Sequence, residues 1–131
     1  MCAVWSIDAG DMETALRLSS AAISQQQLAP EHFKRDLTTF IIEEVADWAE
    51  RQIKAGLSAS PYVDDVCNKI ESGQWLSDNV IALGKVFKNA GINAEKNGDD
   101  KEALEYFRRA LDENEKSGVK KRIKDLEEKL G

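Results

Sequence analysis

The sequence predicts an all-helical fold, and three observations support this prediction. Only two prolines occur in 131 residues, Pro30 and Pro61, and both lie at boundaries of predicted helices. No segment alternates apolar and polar residues long enough to indicate a strand. Three segments instead place apolar residues at steps of three and four, which is the spacing of one helix face. We therefore expect helical hairpins packed as an irregular bundle, in a single domain over residues 1–131.

The first two predicted helices lie on either side of the connection QQLAPEHF. One covers residues 11–26 and is entered from the turn DAGD. The next covers residues 37–55, with Asp36 as its N-cap and Gly56 as its stop. Apolar side chains cover more than half of its circumference, at Phe40, Ile41, Ile42, Val45, Ala46, Trp48, Ala49 and Ile53. We therefore expect helix 37–55 to be the central helix, buried on most sides.

Two further helices begin at serine residues. Ser60 can act as the N-cap before Pro61 at the first helical position, and this short helix ends near Gly73. Ser77 can cap a longer helix that ends near Lys96. The apolar stripe of this longer helix consists of Leu76, Val80, Leu83, Phe87, Ala90 and Ala94. We expect this stripe to face the core.

The last two helices follow tight turns. An Asn-Gly turn leads to Asp99, which opens the helix over residues 99–117, and Gly118 separates it from the helix over residues 119–130. Apolar stripes run along both, at Ala103, Phe107, Ala110 and Leu111 and at Val119, Ile123, Leu126 and Leu130. We expect helix 99–117 to pack antiparallel to the preceding helix, with the last helix covering their open side.

The helix pair over residues 78–96 and 99–117 resembles a tetratricopeptide repeat. The residues that match that family's pattern are Phe87, Ala90, Gly91, Ala94, Ala103, Phe107 and Ala110. The proline that usually ends such a repeat is absent, and Glu115 stands in its place. A partial echo of the second helix begins at Gly10, yet no tandem array follows. Convergence of two helical hairpins on the same turn chemistry is the alternative interpretation.

Composition and charge narrow the function classes. Apolar residues make up 42% and charged residues 32%, which suits a soluble globular protein. No apolar run approaches the roughly 18 residues that a membrane span needs. The first residues lack the basic start and apolar centre of a signal peptide. We therefore expect no membrane association.

The net charge of −6 is distributed unevenly along the chain. Residues 1–80 carry six basic and thirteen acidic side chains, giving −7, whereas residues 81–131 carry twelve basic and eleven acidic side chains, giving +1. Neutralisation of phosphates by cations supplies most non-specific affinity for nucleic acid. An acidic chain is therefore not a general nucleic-acid binder, and DNA contact would need a local basic patch or another segment.

Four longer segments occur in the order VWSIDAGDMETALRLSSAAI, EHFKRDLTTFIIEEVADWA, WLSDNVIALGKVFKNAG and ALEYFRRALDENEKSGVKKRIKDLEEKL. Their order and spacing resemble the small terminase subunit of tailed phages, of the gpM type that is also called the terminase endonuclease subunit. The resemblance covers nearly the whole chain. Members of this family are longer, so we expect residues 1–131 to correspond to the C-terminal part of such a protein.

The resemblance implies a role in viral DNA packaging in the cytoplasm of the bacterial host. Terminases recognise concatemeric phage DNA, cut it and feed it into an empty capsid. Their small subunits commonly assemble into rings, bind the packaging start site and regulate a large subunit that carries the ATPase motor. DNA recognition is often N-terminal in small terminases. The resemblance therefore implies that this chain serves homo-oligomeric assembly or contact with the large subunit, with phage DNA as a further partner.

Carboxylate pairs are the candidates for a metal-dependent nuclease site, which needs clustered acids around Mg²⁺. These pairs are Glu43-Glu44, Asp64-Asp65 and Asp99-Asp100. The last two pairs fall in first helical turns, where acids favour the helix dipole. One of the two glutamates could be partly buried and paired with Arg35 or Arg51. The single histidine, His32, lies in a connection, and we expect no catalytic residue, metal or cofactor in this chain.

A basic cluster near the start of the last helix is the main functional candidate. It consists of Lys116, Lys120, Lys121, Arg122 and Lys124. Cations at a helix N-terminus oppose the dipole, so helix stability does not explain them. Contact with phosphate or an acidic partner is one interpretation, and a solvated face balanced by neighbouring acids is the other. Trp5 and Trp75 are candidate interface residues, with burial in the core as their alternative.

Three functions stay open at this point. The first is a non-catalytic assembly and partner-binding segment of a small terminase subunit. The second is a repeat-like helical adaptor for protein interactions that is unrelated to packaging. The third is a DNA endonuclease, as the family's second name implies.

Overall fold

The computed structural model describes residues 12–25 and 31–131, and all regular structure in these ranges is helical. The helices are α1 (Met12–Gln25), α2 (Glu31–Lys54), α3 (Tyr62–Glu71), α4 (Val80–Lys96), α5 (Asp100–Glu113) and α6 (Lys120–Leu130). The predicted all-helical fold class is thus confirmed. None of the helices in these two ranges combines the length and apolar character that crossing a membrane requires.

Helices α4 and α5 form an antiparallel hairpin with the most extensive helix–helix contact in the described part of the chain. The predicted Asn-Gly turn joins them. Gly98 has a φ of +86°, a left-handed conformation that glycine adopts without strain. The Asp99 carboxylate accepts a hydrogen bond from the Glu102 amide at 3.0 Å. The predicted turn and the predicted helix start at Asp99 are therefore confirmed.

Close packing inside this hairpin depends on Gly91. The Phe107 side chain is fully buried, and a Cβ atom added to Gly91 would lie 2.5 Å from a carbon of its ring. The Arg122 guanidinium on α6 lies over the same ring, 5.8 Å from its centroid. The absence of a side chain on α4 therefore lets an aromatic ring of α5 reach the helix backbone.

Helix α2 runs beside α4 in the same direction. The prediction that α2 is the central helix, buried on most sides, is wrong: α4 packs against α2, α3 and α5 and has the more extensive helix contacts. Thr39 contacts Ser77 just before the start of α4. Farther along both helices, Asn89 donates a hydrogen bond to the carbonyl of Ala46 at 2.9 Å. The buried residues of α2 agree with the prediction at Ile41, Ile42, Val45, Ala46, Trp48, Ala49 and Ile53.

Two further predictions about α2 are wrong. The helix begins at Glu31, so Asp36 lies inside it and is not its N-cap. A proline precedes Glu31 in the sequence, and proline followed by an acidic residue suits a helix start. Phe40 is 45% exposed instead of buried. It shares its side of the helix with the exposed residues Asp36 and Glu43, and this side faces solvent.

The two predicted serine caps are also wrong. Ser60 Oγ donates to the Asp64 carboxylate at 2.6 Å, and α3 begins without a side-chain cap. Ser77 contacts Thr39 of α2, and Asn79 caps α4 by accepting a hydrogen bond from a backbone amide at 3.0 Å. Ser60 also accepts a hydrogen bond from Asn93 of α4 at 2.7 Å. Tertiary packing brings Asn93 and Thr39 to these serines, and sequence spacing does not reveal such partners.

The C-terminal helix packs antiparallel on α5. Lys129 pairs with Asp100 at 2.7 Å, and Arg108 pairs with Glu127 at 2.8 Å. Helix α5 ends at Glu113 instead of the predicted residue 117. Three residues of the predicted apolar stripes are about half exposed instead of buried: Leu76, Val80 and Leu130. They lie at or just beyond helix ends, where fewer neighbouring side chains can cover them.

A buried polar network ties α3, α4 and α5 together. Asn93 is buried, accepts a hydrogen bond from the Ala59 amide at 2.8 Å and donates one to Ser60 Oγ at 2.7 Å. Ser60 donates to one oxygen of Asp64, and the Tyr106 hydroxyl donates to the other at 2.8 Å. Burial, together with this hydrogen bond, raises the pKa of Tyr106. The phenol therefore keeps the proton that the network needs.

We expect the Cys67 thiol to resist alkylation in the native protein. Its side chain is fully buried, and burial raises the pKa of the Cys67 thiol. Both access and the reactive thiolate fraction are therefore low. In a Cys2→Ser background, iodoacetamide near neutral pH should label the native chain roughly 100-fold more slowly than the urea-unfolded chain. Equal labelling rates in the two states would contradict this burial.

Candidate partner-binding groove

A groove with a volume of about 580 Å³ runs along helix α4, which forms its floor. The end of α2 forms one wall. The α5–α6 loop and the start of α6 form the other. Six of the lining side chains are basic, at Lys54, Lys85, Lys88, Lys96, Lys116 and Arg122. We call this feature the basic groove.

The lining of the basic groove has a strong excess of positive charge. Among the described residues Glu50 is its one acidic side chain, so the formal charge of the described lining is +5, six basic groups minus one acidic group. The whole chain carries −6. A cleft lined by one sign of charge concentrates the electric field and attracts ligands of the opposite sign. The groove is therefore a candidate site for an anionic ligand on an otherwise acidic protein.

Carboxylates of α2 hold two of these lysines in place. Lys85 pairs with Asp47 and lies 3.7 Å from Glu50, and Lys54 lies 3.1 Å from Glu50. The hydrogen bond to Asp47 raises the pKa of Lys85, and the hydrogen bond from Lys54 lowers the pKa of Glu50. Lys85 and Glu50 therefore stay charged near neutral pH. Lys85 and Lys54 are positioned at the α2 wall and are partly neutralised there.

Three other lysines are available for a ligand. Lys88, Lys96 and Lys116 form no ion pair with any residue in the two described ranges. Two of them come from α4 and one from the α5–α6 loop. A ligand that carries acidic groups could therefore contact the floor and one wall together. A cation without a partner in the free protein loses no existing ion pair when it binds such a ligand.

The groove also offers apolar contacts. Ile81 and Ile92 of α4 and Ile53 of α2 line it, and Ile81 is 69% exposed. A Cβ atom added to Gly84 would lie 2.9 Å from Cβ of Asn114, so the absence of a side chain lets the α5–α6 loop approach α4. The basic groove therefore combines cations with an isoleucine-lined floor, and protein ligands fit this combination better than bare phosphates do.

The structure divides the predicted basic cluster between two surfaces. Lys116 and Arg122 line the groove. Lys120, Lys121 and Lys124 are exposed along α6 and do not line it. Two of the five residues therefore lie in the groove. The five residues are close together in the sequence, but only Lys116 and Arg122 line the groove in the structure.

Arg122 already has contacts within the chain. It pairs with Glu95 of α4 at 3.4 Å, and its guanidinium lies over the Phe107 ring. These contacts connect α6 to the α4–α5 hairpin. Arg122 is therefore a residue with a packing role that also contributes charge to the groove wall.

Of the two tryptophans predicted at an interface, the structure describes only Trp75. Trp75 is 3% exposed, so it belongs to the core and we do not retain it as a contact residue. Trp5 lies outside the described residues, as do Cys2 and the side chain of His32.

Two of the three carboxylate pairs take part in local structure. Asp99 caps α5, as predicted. Asp100 pairs with Lys129 at 2.7 Å, and Asp65 pairs with Lys69 at 3.6 Å. Within residues 12–25 and 31–131, no group of three or more possible metal-ligating side chains occurs.

The third pair, Glu43 and Glu44, lies on the solvent-facing part of α2. Glu43 is exposed and Glu44 is partly exposed. Neither forms an ion pair with a described residue, so the expected pairing with Arg35 or Arg51 is not found. Arg35 pairs instead with Asp78 at 3.1 Å.

The groove lysines of α2 and α4 were not predicted from the sequence. The sequence does contain a pattern that could have indicated them. One face of α4 carries residues at steps of three, four and four: Lys85, Lys88, Ile92 and Lys96. The opposite face carries the apolar stripe. Only the packing of α2 and of the α5–α6 loop against α4 turns this row of residues into a groove.

Comparisons with known proteins give one consistent result. A family model described as "Phage small terminase subunit" matches residues 1–79. A protein of Haemophilus phage HP1 (strain HP1c1) described as "Probable terminase, endonuclease subunit" is 27% identical over 134 residues, which cover 93% of this chain and 47% of that protein. The "Terminase, endonuclease subunit" of Escherichia phage P2 is 30% identical over 127 residues, which cover 97% of this chain and 51% of that protein. No solved structure matches the chain.

The chain spans about half the length of the curated relatives it matches. The match to the family model ends before α4, so most of the basic groove lies beyond it. The alignments with the two relatives cover more than nine tenths of the chain and so extend into the groove region.

Proposed function

Because the chain belongs to the phage small terminase subunit family, whose members serve viral DNA packaging, we propose that it acts in packaging as a module that joins protein components. The basic groove is the contact surface in this proposal. Its ligand is an acidic protein surface, supplied by another copy of the chain or by the large terminase subunit. The site of action is the cytoplasm of the bacterial host. The adaptor hypothesis without a link to packaging is dropped, because it does not fit this family membership.

The composition of the groove is the observation that carries this proposal. The groove is lined by three isoleucines and by three lysines that form no ion pair with a described residue. A DNA backbone would use the cations and leave the isoleucines without contacts, whereas an acidic amphipathic segment would use both. The chain also carries a net charge of −6, which opposes approach to DNA as a whole. A protein ligand is therefore favoured over DNA at this surface.

Reversing two groove charges is expected to weaken protein assembly strongly. The variant Lys88→Glu with Lys116→Glu places acidic groups on the floor and on one wall, where an acidic partner would approach. We expect the affinity for that partner to fall at least about tenfold. Two readouts are needed: retention of a co-expressed large terminase subunit, and the mass of the chain's own assemblies by light scattering. The matched control is Lys120→Glu with Lys121→Glu, which makes the same charge change outside the groove.

DNA binding is tested on the same purified samples. If the exposed lysines of α6 contact phosphates, the Lys120→Glu, Lys121→Glu variant should bind DNA more weakly and with a smaller dependence on salt. The groove variant serves as its control. If the groove variant loses DNA binding but keeps its protein partners and its own assemblies, the proposed protein-binding role of the groove is wrong.

Both relatives are named as endonuclease subunits, which favours one alternative, DNA cleavage. Magnesium-dependent cutting of plasmid DNA by this chain, abolished by Glu44→Ala, would support it. The same assay run on the groove variant separates cleavage from protein assembly.

A further inference from the structure

We propose that the basic groove binds an acidic protein segment in an extended conformation, with an acidic side chain two residues before and two residues after an apolar one. This inference rests on the proposed function, and it names the conformation and the sequence pattern of the ligand. It depends on the width of the groove, on the spacing of side chains along its floor and on the polar groups in its lining.

The basic groove is too narrow to hold a helix. Its floor runs along α4 from Ile81 to Lys96, a length of about 22 Å at the rise of a helix. The groove volume of about 580 Å³, divided by this length, gives a cross-section of about 26 Å² and a width of about 6 Å. An α-helix with its side chains is about 10–12 Å wide, whereas neighbouring extended chains lie about 5 Å apart. The groove therefore fits one extended chain.

The floor of the groove alternates charged and apolar side chains at the spacing of an extended chain. Lys88, Ile92 and Lys96 are four residues apart, so each step rises about 6 Å along α4. Two residues of an extended chain span about 6.6 Å, and side chains two residues apart point to the same side. A ligand with an acidic, an apolar and an acidic residue at alternate positions therefore directs all three side chains at the floor. Each of them then meets a group that it can bind.

The α5–α6 loop brings a further cation to one of these positions. A Cβ atom added to Gly118 would lie 3.7 Å from Nζ of Lys88, so this ammonium group lies beside the loop that carries Lys116. Lys88, Lys96 and Lys116 form no ion pair with a described residue. The ligand acid opposite Lys88 is therefore close to two available cations, and the acid opposite Lys96 is close to one.

Two asparagines of the groove offer hydrogen bonds to a ligand backbone. An extended chain needs partners for its amides and carbonyls, whereas a helix pairs most of its own. The Asn89 amide group donates to Ala46 at 2.9 Å, and the Asn114 side-chain oxygen accepts from the Lys116 backbone amide at 3.1 Å. Oδ1 of Asn89 and the amide group of Asn114 have no hydrogen-bond partner among the described residues. They therefore supply one acceptor and one donor for an extended ligand.

Fluorescence anisotropy with short synthetic peptides tests the sequence pattern, at about 50 mM salt so that screening stays weak. The probe is a labelled nonapeptide with the centre Asp-Ser-Leu-Ser-Asp between glycine and serine residues. We expect a dissociation constant on the order of 100 μM for so short a ligand. A control peptide with the centre Asp-Asp-Ser-Ser-Leu has the same composition and should bind at least about fivefold more weakly. Equal binding of the two peptides would overturn the proposed pattern.

Transferred nuclear Overhauser effects on the unlabelled peptide test its bound conformation. Strong contacts between each Hα and the next amide proton are expected, because they are typical of an extended chain. Contacts between residues three positions apart would show a helix instead. A helical bound form would overturn the inference even if the peptide binds in the groove.

Variants of the chain test where the peptide binds. Lys88→Gln with Lys96→Gln removes both floor cations and is expected to weaken binding at least about tenfold. The matched control is Lys120→Gln with Lys121→Gln, which removes the same charge outside the groove. Circular dichroism should show unchanged helix content in both, because none of these side chains is buried. Equal binding by the two variants would mean that the peptide binds elsewhere.

A charge exchange makes the test independent of a loss of binding. The variant Lys88→Glu with Lys96→Glu should bind a peptide with the centre Lys-Ser-Leu-Ser-Lys more tightly than the wild type does, because opposite charges face each other again. The wild type should prefer the acidic peptide. If the variant shows no such reversal, the acidic side chains do not lie opposite these two lysines.

The outcomes separate this inference from the proposed function. If a short single-stranded DNA displaces the acidic peptide at an equal or lower concentration, the groove prefers phosphates and the inference is wrong. If no acidic peptide binds, but reversing the charges of Lys88 and Lys116 releases the large subunit, the proposed function stands and the extended ligand is excluded. The proposed function fails if that reversal changes neither the retention of the large subunit nor the mass of the chain's own assemblies.

Discussion

Replacing Gly91 with valine is expected to lower the free energy of unfolding by about 3 kcal/mol. A Cβ atom at this position would lie 2.5 Å from the Phe107 ring, which is far inside van der Waals contact. The ring has little freedom to move away, because it is fully buried and Arg122 lies over it from α6. The α4–α5 hairpin would therefore have to separate, and this is the most extensive helix contact in the described residues.

Urea unfolding followed by circular dichroism measures this effect. Gly91→Ala should cost less than Gly91→Val, because alanine gains about 1 kcal/mol of helix propensity over glycine. Adding Phe107→Leu should relieve part of the clash, so the two changes should not be additive. Lys96→Val is the control, since it introduces the same side chain at an exposed position of the same helix. A loss of stability at Gly91 no larger than at Lys96 would mean that the hairpin tolerates wider spacing.

Replacing Asn93 with leucine is expected to cost about 2–4 kcal/mol. The amide side chain is 1% exposed and serves two partners, the backbone amide of Ala59 and the hydroxyl of Ser60. Leucine has a similar size but makes neither hydrogen bond. It would leave a buried N–H donor unpaired, and it would weaken the link from Ser60 through Asp64 to Tyr106.

Thermal and urea unfolding both report this loss, and Asn68→Leu is the matched control on an exposed site of α3. We expect the control to change stability by no more than about 0.5 kcal/mol. Asn93→Asp distinguishes loss of the donor from loss of the acceptor, because a carboxylate can still accept from Ala59. If Asn93→Leu were as mild as the control, the network would contribute little to the folded state.

The α4–α5 hairpin was predictable because local chemistry determines it. The Asn-Gly turn, the Asp99 cap and the small residues opposite Phe107 are all encoded within about one helix length of each other. The two wrong serine caps concern residues that have a partner distant in sequence. Ser60 bonds to Asn93, and Ser77 contacts Thr39. Both are good helix caps by residue type, so residue type alone could not exclude that role.

The candidate site was less predictable than the fold. The lysine run after Gly118 stands out in the sequence, yet Lys120 and Lys121 are exposed outside the groove. Lys88 and Lys96 are dispersed among apolar residues of α4 and become part of a site only when α2 packs beside them. Exposure of Phe40 could not be inferred either, since its neighbours Ile41 and Ile42 are buried.

Bringing six cations into one groove makes folding itself sensitive to dissolved ions. In the unfolded chain these side chains lie far apart and repel one another weakly. In the folded groove Lys54, Lys85 and Arg122 have ion-pair partners, so the repulsion that remains is mainly among Lys88, Lys96 and Lys116. Dissolved salt screens this repulsion, and a bound acidic surface neutralises it, so both shift the equilibrium toward the native state. Ionic strength and occupancy of the groove therefore both affect the folding equilibrium. The repulsion among the groove cations is strongest in the free protein in dilute buffer.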